Sequence, residues 1–196
     1  QEGYDLMGLI CGSEGLLGVV TEVTVKILKK PEVVRAALIG FPSIKEGGDA
    51  ASEIISSGIV PAGMEIMDKA LIEATDNFSK AGYPRDAELL LIVELDGTDS
   101  EVNELIKKVE AICKKNNCSS LKLSNSEKER LSFWAGRKAA FPACGAMAPD
   151  YYCMDGSIPR GKLTEALLEI KKLSEKYKLP VANCFHAGDG NLHPLI

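Results

Sequence analysis

The residues best suited to chemistry lie in the stretch His-Ala-Gly-Asp-Gly-Asn-Leu-His-Pro, residues 186–194. It holds both histidines of the chain, His186 and His193. The glycine, aspartate and asparagine residues between them favour positive φ and a tight reversal, and apolar residues flank the stretch on both sides. The pattern predicts a strand, a sharp loop and a returning strand. Such a hairpin would bring two imidazoles within reach of one metal ion or one substrate.

The composition of this loop favours a site, but spacing alone leaves alternatives open. Glycine brings the backbone close, and Asp189 leaves an acidic group beside the two rings. A metal-dependent hydrolase using His186, Asp189 and His193 would suit the same residues. A non-catalytic α+β binding module, in which the histidines are structural, is the third interpretation.

The order of these nine residues resembles the signature of the FAD-linked 2-hydroxy-acid oxidases and dehydrogenases. This family, of the glycolate oxidase D subunit and D-lactate dehydrogenase type, belongs to the vanillyl-alcohol-oxidase superfamily. The resemblance implies oxidation of a small D-2-hydroxy acid to the 2-oxo acid, with the hydride passing to FAD. It implies that His186 and His193 hold Zn²⁺ or another divalent metal ion, and that Asn191 and Asp189 shape the loop and hydrogen-bond there. It also implies an iron–sulfur or quinone-linked partner as electron acceptor.

A second motif lies near the start of the chain. Gly12, Gly15 and Gly18 precede Val19–Leu28, an alternating β-branched run that predicts a strand. The glycine spacing fits neither a Rossmann unit nor a P-loop. The segment resembles the closing motif of the family's FAD-binding domain, and this resemblance implies flavin contacts from Gly12, Ser13, Glu14, Gly18 and Val20.

Other candidate residues occur on a predicted helix and a predicted strand. Trp134 and Arg137 lie three residues apart on one helix, where the simplest interpretation is a core tryptophan and a solvated arginine. The family has a Trp followed by an Arg at this point, so the resemblance implies that Arg137 binds the substrate carboxylate through its two-pronged guanidinium. Asp155 could fix its strand against the site or serve a turn. We interpret the acidic residues of 64–68 and 93–97 as structural.

Composition limits the classes of function. The 196 residues are 45% hydrophobic and 26% charged, with a net charge of −5. These values are typical of a globular protein, and no basic patch with aromatic residues indicates nucleic-acid binding. No apolar run reaches the roughly 20 residues of a transmembrane helix. The six cysteines are too sparse for a disulfide scaffold, so we expect buried free thiols and a cytoplasmic location, with membrane attachment only through a partner.

Alternating patterns predict an α+β fold: a largely antiparallel sheet with helices stacked on one face. A doubly wound parallel sheet would also alternate, but the half-polar run Tyr151–Ile158 argues against it. The predicted strands are Arg35–Phe41, Ala62–Met67, Glu88–Leu95, Leu121–Leu123, Tyr151–Ile158 and Val181–Phe185. The predicted helices are Ser43–Ser57, Lys69–Ser79, Ser100–Lys115, Glu127–Phe141 and Gly161–Tyr177, with Ser43 and Asp68 as N-caps.

The ends of the sequence suggest a piece of a longer protein. It begins without Met and stops within an apparent strand at Leu195-Ile196. We expect residues 1–30 to close an FAD-binding domain and residues 31–196 to form a substrate, or cap, domain truncated at its C-terminus. In the family, a Ser-x-Glu-His-Gly segment follows and supplies a carboxylate ligand and a histidine base. We therefore expect the piece alone to be inactive and not to hold FAD by itself.

Overall fold

A computed structural model describes residues 3–196, which divide after Lys30 into two compact units. The first unit contains a short helix, α1 (Leu6–Ile10), whose start is capped by the Asp5 carboxylate accepting from the Gly8 amide at 2.9 Å. Residues 18–30 form no β-ladder, so the prediction of a strand at Val19–Leu28 is wrong for this structure. A strand persists only where its backbone groups pair with a neighbour, and the residues described in this unit offer none.

The second unit contains seven strands and six α-helices in its described residues. The strands are β1 (Val33–Phe41), β2 (Gly63–Asp68), β3 (Leu89–Gly97), β4 (Ser120–Leu123), β5 (Gly156–Ser157), β6 (Ala182–His186) and β7 (Asn191–Leu195). The helices are α2 (Ile44–Ser56), α3 (Lys69–Ser79), α4 (Asp99–Lys115), α5 (Glu127–Lys138), α6 (Ala140–Gly145) and α7 (Leu163–Tyr177), and a 3₁₀ turn (Arg160–Lys162) precedes α7.

The strands form one sheet in the order β4-β1-β3-β2-β6-β7-β5, and every neighbouring pair is antiparallel. The predicted α+β class and antiparallel sheet are therefore confirmed. The strand β2 is the junction that matters for function, because it pairs with the core strand β3 on one side and with the histidine-bearing strand β6 on the other.

Helices pack on both faces of this sheet, and not on one face as the sequence analysis predicts. Leu89 and Leu91 of β3 join a core with α2, α4 and α7, whereas Leu90 and Ile92 join a second core with α3, α5 and α6. Successive strand residues point to opposite faces, so a strand buried on both sides needs an unbroken apolar run. The Leu-Leu-Leu-Ile-Val sequence of β3 supplies that run, and all five residues are fully buried.

Helix starts follow local capping chemistry, as predicted. The Ser43 hydroxyl accepts from the Glu46 amide at 3.2 Å, and the Asp68 carboxylate accepts from the Leu71 amide at 3.1 Å. Thr98 and Glu101 form a reciprocal capping box that starts α4. Each cap gives an otherwise unpaired amide an acceptor, which fixes where the helix begins.

Two predicted elements are shorter than expected because of prolines. The helix from Glu127 ends at Lys138 and α6 follows, since Pro142 has no N–H to bond to the Lys138 carbonyl. The predicted strand Tyr151–Ile158 is reduced to β5 and a single bridge between Cys153 and Leu195. Between these two contacts the Met154 amide bonds to the Pro194 carbonyl at 3.0 Å, but Pro194 has no N–H to reciprocate.

The cysteines are all free, as expected, but they are not all buried. Cys113, Cys144 and Cys184 are buried, whereas Cys11 and Cys153 are exposed. Burial raises the pKa of the Cys184 thiol to about 12, so this thiol stays protonated and packs as an apolar group. Within residues 3–196, no helix has the length and apolar character needed to cross a bilayer.

Candidate active site

The hairpin β6–β7 places both histidines on one face of the sheet. His186 lies opposite Asn191 in the ladder, and His193 lies opposite Cys184, two residues before His186. Because paired residues and residues two apart share a face, the two imidazoles lie on the side covered by α3, α5 and α6. Their ring centroids are 5.1 Å apart, with the ring planes nearly perpendicular. The sequence-based prediction that the loop brings the rings together therefore agrees with the geometry.

Gly190 makes this reversal possible. Its φ is +81°, and a side chain at this position would collide with the carbonyl oxygen of Ile158. The Ile158 amide donates to the Gly190 carbonyl at 3.0 Å, so the loop is anchored to the segment that leads into α7. On its other side the loop is attached to β2, because the Gly188 amide donates to the Met64 carbonyl at 3.3 Å.

Glu65 of β2 lies at the centre of the polar contacts. The β2–β6 register pairs it directly with His186, and its Oε1 is 2.7 Å from the His186 Nδ1. Its other oxygen, Oε2, accepts from the Arg137 Nε at 2.8 Å. The Glu65 and Arg137 side chains are only 10% and 11% exposed, so this carboxylate joins two partners in a largely water-excluded position.

Arg137 reaches the site from α5, and Tyr83 fixes that helix. The Tyr83 hydroxyl donates to the Phe133 carbonyl at 2.6 Å and accepts from the Arg137 amide at 3.0 Å. Gly136 leaves room for the Tyr83 ring, which would collide with any side chain there. Burial raises the pKa of Tyr83, so its hydroxyl remains a neutral donor. Within residues 3–196, the two terminal nitrogens of Arg137 make no hydrogen bond. Neither of them is among the buried atoms that lack a partner, so both keep some contact with solvent.

Three polar atoms of the hairpin are buried without a hydrogen-bond partner in residues 3–196. The side-chain oxygen of Asn183 lies on the face opposite the histidines, because Asn183 neighbours Cys184 in the strand. The other two, the Nδ1 of His193 and the side-chain oxygen of Asn191, lie at the histidine rings. Continuing the β5–β7 register sets Asp155 opposite His193, but its oxygen is 3.8 Å from the ring nitrogen, too far for a hydrogen bond. Buried polar groups in folded proteins are almost always paired, so unpaired ones beside a histidine indicate a site for a ligand.

The separation of the two ring centres is compatible with ligation of one ion by both histidines. Imidazoles bound tetrahedrally to Zn²⁺ at about 2.0–2.1 Å have ring centres about 5 Å apart, close to the 5.1 Å measured between His186 and His193. The Glu65 carboxylate on the first ring resembles the carboxylate–histidine pairs that orient metal ligands. Within the described part of the chain, however, no group of three or more His, Cys, Asp or Glu side chains forms a complete ligand set.

Next to these residues, a surface cavity of about 440 Å³ opens between the start of β2 and the hairpin loop. Its polar lining comes from Glu65, His186, Asp189 and Arg160, and its apolar wall comes from the segment before β2. The Asp189 carboxylate bends back toward its own loop, with an oxygen 3.4 Å from the Asn191 amide. Asp189 therefore shapes the turn, as the sequence analysis expects.

The candidate flavin residues lie in the first unit and are described by themselves. Gly12 and Gly15 adopt φ of +86° and +78°, and Glu14 adopts +51°. At Gly12, Gly15 and Gly18, no atom of residues 3–196 lies within 4 Å of the position that a Cβ would occupy, so a ligand could approach the backbone closely there. Ser13 is half-buried, whereas Glu14, Gly18 and Val20 are exposed. Their contacts with FAD remain a prediction.

Sequence reasoning missed Glu65, which it assigned to the structural acidic residues. A usable signal was present, because Glu65 lies in the short apolar strand Met64–Met67, and a carboxylate in a buried strand needs a cationic or donor partner. Its partner could not be read locally, since His186 lies 121 residues further along the chain.

The chain belongs to the FAD-linked oxidases, whose C-terminal domain matches residues 30–196. It is 54% identical to the glycolate oxidase subunit GlcD of Escherichia coli over 99% of the chain, and 35% identical to GlcD of Bacillus subtilis over 98%. It is also 35% identical to a mitochondrial D-lactate dehydrogenase [cytochrome] of Arabidopsis thaliana over 99%.

The chain spans only 39%, 41% and 34% of the lengths of these three relatives. Solved structures confirm the fold at low identity. An alkyldihydroxyacetonephosphate synthase superposes with a TM-score of 0.69 at 17% identity, covering the whole chain and 41% of that protein. A p-cresol methylhydroxylase superposes with a TM-score of 0.59 at 14% identity, covering 85% of the chain and 39% of that protein. No comparison supports the hydrolase interpretation.

Proposed function

We propose that this chain is the substrate-binding part of an FAD-dependent dehydrogenase or oxidase that converts a small D-2-hydroxy acid of the glycolate or D-lactate type to its 2-oxo acid. The observation that carries the proposal is the cluster of Glu65, Arg137, His186 and His193, with unpaired buried atoms beside it. The relatives named as glycolate oxidase subunits and D-lactate dehydrogenases support this class of substrate.

Residues 1–30 are proposed to complete an FAD-binding domain formed mainly by further sequence. The side chains of Val19, Ile27 and Leu28 are each more than 80% exposed, and residues 19–28 form no β-ladder within residues 3–196. An alternating, β-branched segment of this kind is suited to pairing with strands of such a domain. Gly12, Ser13, Glu14, Gly18 and Val20 would then contact the flavin nucleotide.

The chain's own residues would bind and orient the substrate. Arg137 carries a permanent positive charge, and its two terminal nitrogens are left for a substrate carboxylate because Nε is held by Glu65. His186 and His193 would hold a divalent ion next to the substrate hydroxyl, with Asn191 offering its buried oxygen as an acceptor. An ion held there would supply polarisation of the substrate hydroxyl, whose proton would pass to the histidine base that the family resemblance places in further sequence. FAD, when bound, would accept the hydride from the substrate α-carbon.

The electron acceptor and location follow from this assignment. The bacterial relatives are named as subunits, so we propose that the complete protein works with an iron–sulfur electron-transfer subunit. We also propose a cytoplasmic location, with contact to the membrane made only through that partner.

The test is anaerobic reduction of the flavin in the complete enzyme. Addition of D-lactate or glycolate should bleach the visible absorption of oxidised FAD, whereas L-lactate should bleach it far more slowly. Removal of divalent metal by a chelator should slow the reduction, and adding the metal back should restore it. A complete protein that purifies without flavin, or whose flavin is not reduced by any 2-hydroxy acid, would rule the proposal out.

A further inference from the structure

We propose that Glu65 is a positioning residue that fixes the tautomer of His186. Glu65 holds the neutral ring in the tautomer that carries its hydrogen on Nδ1. The lone pair of Nε2 is then free to accept a hydrogen bond or to bind a metal ion. The tautomer itself follows from contacts within the chain. The inference rests on the proposed function only in assigning a divalent ion to Nε2.

The strand register determines how close the Glu65 and His186 side chains lie. Glu65 and His186 are direct partners across the β2–β6 ladder, so their backbones fix the separation of the two side chains. The distance from Oε1 to Nδ1 is 2.7 Å. A carboxylate has no hydrogen to donate, so the hydrogen of this bond must come from Nδ1. In a neutral imidazole the other nitrogen is then an acceptor.

The competing partner of the Glu65 carboxylate is Arg137. Arg137 donates through Nε to the other oxygen of Glu65 at 2.8 Å, and a guanidinium in a protein is always a donor. Glu65 is 8% exposed, so water cannot readily replace either partner. The position therefore requires two acceptor atoms at once, and the two side-chain oxygens of Glu65 provide them.

Glu65→Gln turns this requirement into a measurable change. The substitution preserves shape but offers one acceptor and one donor group. The carboxamide oxygen should pair with Arg137, because hydrogen bonds from a charged donor are roughly twice as strong as neutral ones. The carboxamide NH₂ then faces His186 Nδ1, which must become the acceptor, and the ring hydrogen moves to Nε2.

Removing the competitor should reverse the change. In Glu65→Gln combined with Arg137→Met, the carboxamide oxygen no longer has a charged donor to satisfy. It can turn to His186 and accept from Nδ1 again. A residue that merely supported the fold would not regain the original tautomer through loss of a second buried side chain.

Glu94 offers a matched control on the neighbouring strand. It lies on the same face as Glu65 and opposite Gly63 in the β2–β3 ladder. Its carboxylate accepts from the Trp134 indole at 2.6 Å and from Arg130 at 2.5 Å, both on α5. Glu94→Gln therefore removes the same charge from the same sheet–helix layer without touching an imidazole.

The experiment uses the chain labelled with ¹⁵N at histidine, whose two imidazoles are assigned with the single variants His186→Gln and His193→Gln. Long-range ¹H–¹⁵N spectra at mildly alkaline pH report which nitrogen of each neutral ring carries hydrogen. Calorimetric titration with Zn²⁺ alone gives a second readout. Flavin reduction in the complete enzyme is measured separately, so failure of the proposed function does not decide the tautomer.

We expect hydrogen on Nδ1 of His186 in the wild-type chain, on Nε2 in Glu65→Gln, and on Nδ1 again in the double variant. Zn²⁺ affinity should fall roughly 10–100-fold in Glu65→Gln and stay unchanged in Glu94→Gln. If Glu65→Gln does not fold, two other measurements test the inference. One is the tautomer of His186 in the wild type. The other is its tautomer in Glu65→Asp, which retains two acceptor oxygens and should keep hydrogen on Nδ1. Hydrogen on Nε2 in the wild type, or equal loss of Zn²⁺ affinity in Glu65→Gln and Glu94→Gln, would overturn the inference.

Discussion

The core strand β3, which we call the centre, and the histidine hairpin with Glu65 of β2, which we call the edge, differ in how their polar atoms are paired. At the centre, Leu89 to Val93 are fully buried on both faces, and every polar atom is occupied by the ladder. At the edge, His193 and Asn191 each keep a buried polar atom that finds no hydrogen-bond partner among residues 3–196, and the acidic residue Glu65 is only 8% exposed. The centre gains stability from burial, whereas the edge gives up stability to hold groups ready for a ligand.

This difference separates the expected effects of substitutions. Changes at the centre should reduce the free energy of unfolding and leave the chemistry of surviving molecules intact. Changes at the edge should remove activity or metal binding with little loss of stability. The strand β2 joins the two regions, because Glu65 belongs to the edge while Ile66 and Met67 belong to the two cores.

The largest effect is expected for His186→Ala and His193→Ala. Each substitution removes one of the two proposed ion ligands. Loss of a residue that only hydrogen-bonds to a metal ligand costs roughly 10–100-fold, so turnover of the complete enzyme should fall by more than that. The unfolding transition should change little, because the two rings are partly exposed. Turnover equal to wild type in both variants would remove the histidines from the mechanism.

Leu91→Ala should produce the reverse pattern. Leu91 is fully buried in the core with α2, α4 and α7, so its truncation should lower the free energy of unfolding by about 2–5 kcal/mol. Chemical denaturation of the chain measures this loss. Zn²⁺ affinity of the folded fraction should match the wild type, and a large loss of affinity would show that the two regions are not separable.

Asp68 should make stability depend on pH in a direction opposite to most carboxylates. Burial raises its pKa from 3.8 to about 6, although it accepts hydrogen bonds from Leu71 and Asn183. Between those two pH values the folded state keeps a proton that the unfolded chain has lost. The contribution is therefore fully present below pH 3.8 and is lost as the pH rises through about 6.

The measurement compares wild type with Asp68→Asn. The free energy of unfolding of the wild type, relative to the variant, should fall by up to about 3 kcal/mol between about pH 4 and pH 7, since one pKa unit corresponds to 1.36 kcal/mol. The variant serves as the reference because it cannot titrate at this position. Parallel pH profiles for the two proteins would contradict the buried, protonated state of Asp68.

Gly190→Ala should lower stability moderately and have a selective effect on the site. Its positive φ and the adjacent Ile158 carbonyl strain any side chain, at a cost of about 1–3 kcal/mol. Gly188→Ala is the control, because a side chain there would meet Met64 at an ordinary 3.7 Å and its φ is not positive. We expect reduced Zn²⁺ affinity in the first variant only. Equal effects would mean that the loop tolerates a shifted backbone.

The sequence predicts this molecule well where the deciding signals are local. Helix starts at Ser43 and Asp68 follow from a single side chain and an amide three residues away. The hairpin follows from Gly188 and Gly190, which lie between the two histidines. Partners that are distant in sequence decide the rest. Successive residues of β3 pack against helices on opposite faces, and Glu65 pairs with His186, 121 residues away. Val19–Leu28 forms no ladder within residues 3–196, which its own sequence does not reveal.

The most direct test of the account is an anomalous-difference map of the complete enzyme, crystallised with its flavin and collected at the absorption edge of the bound metal. We expect one peak at a bonding distance of about 2.0–2.1 Å from one nitrogen of His186 and one of His193, with Glu65 still hydrogen-bonded to His186 Nδ1. A map with no peak between the two rings, in an enzyme that still oxidises its 2-hydroxy acid, would contradict it.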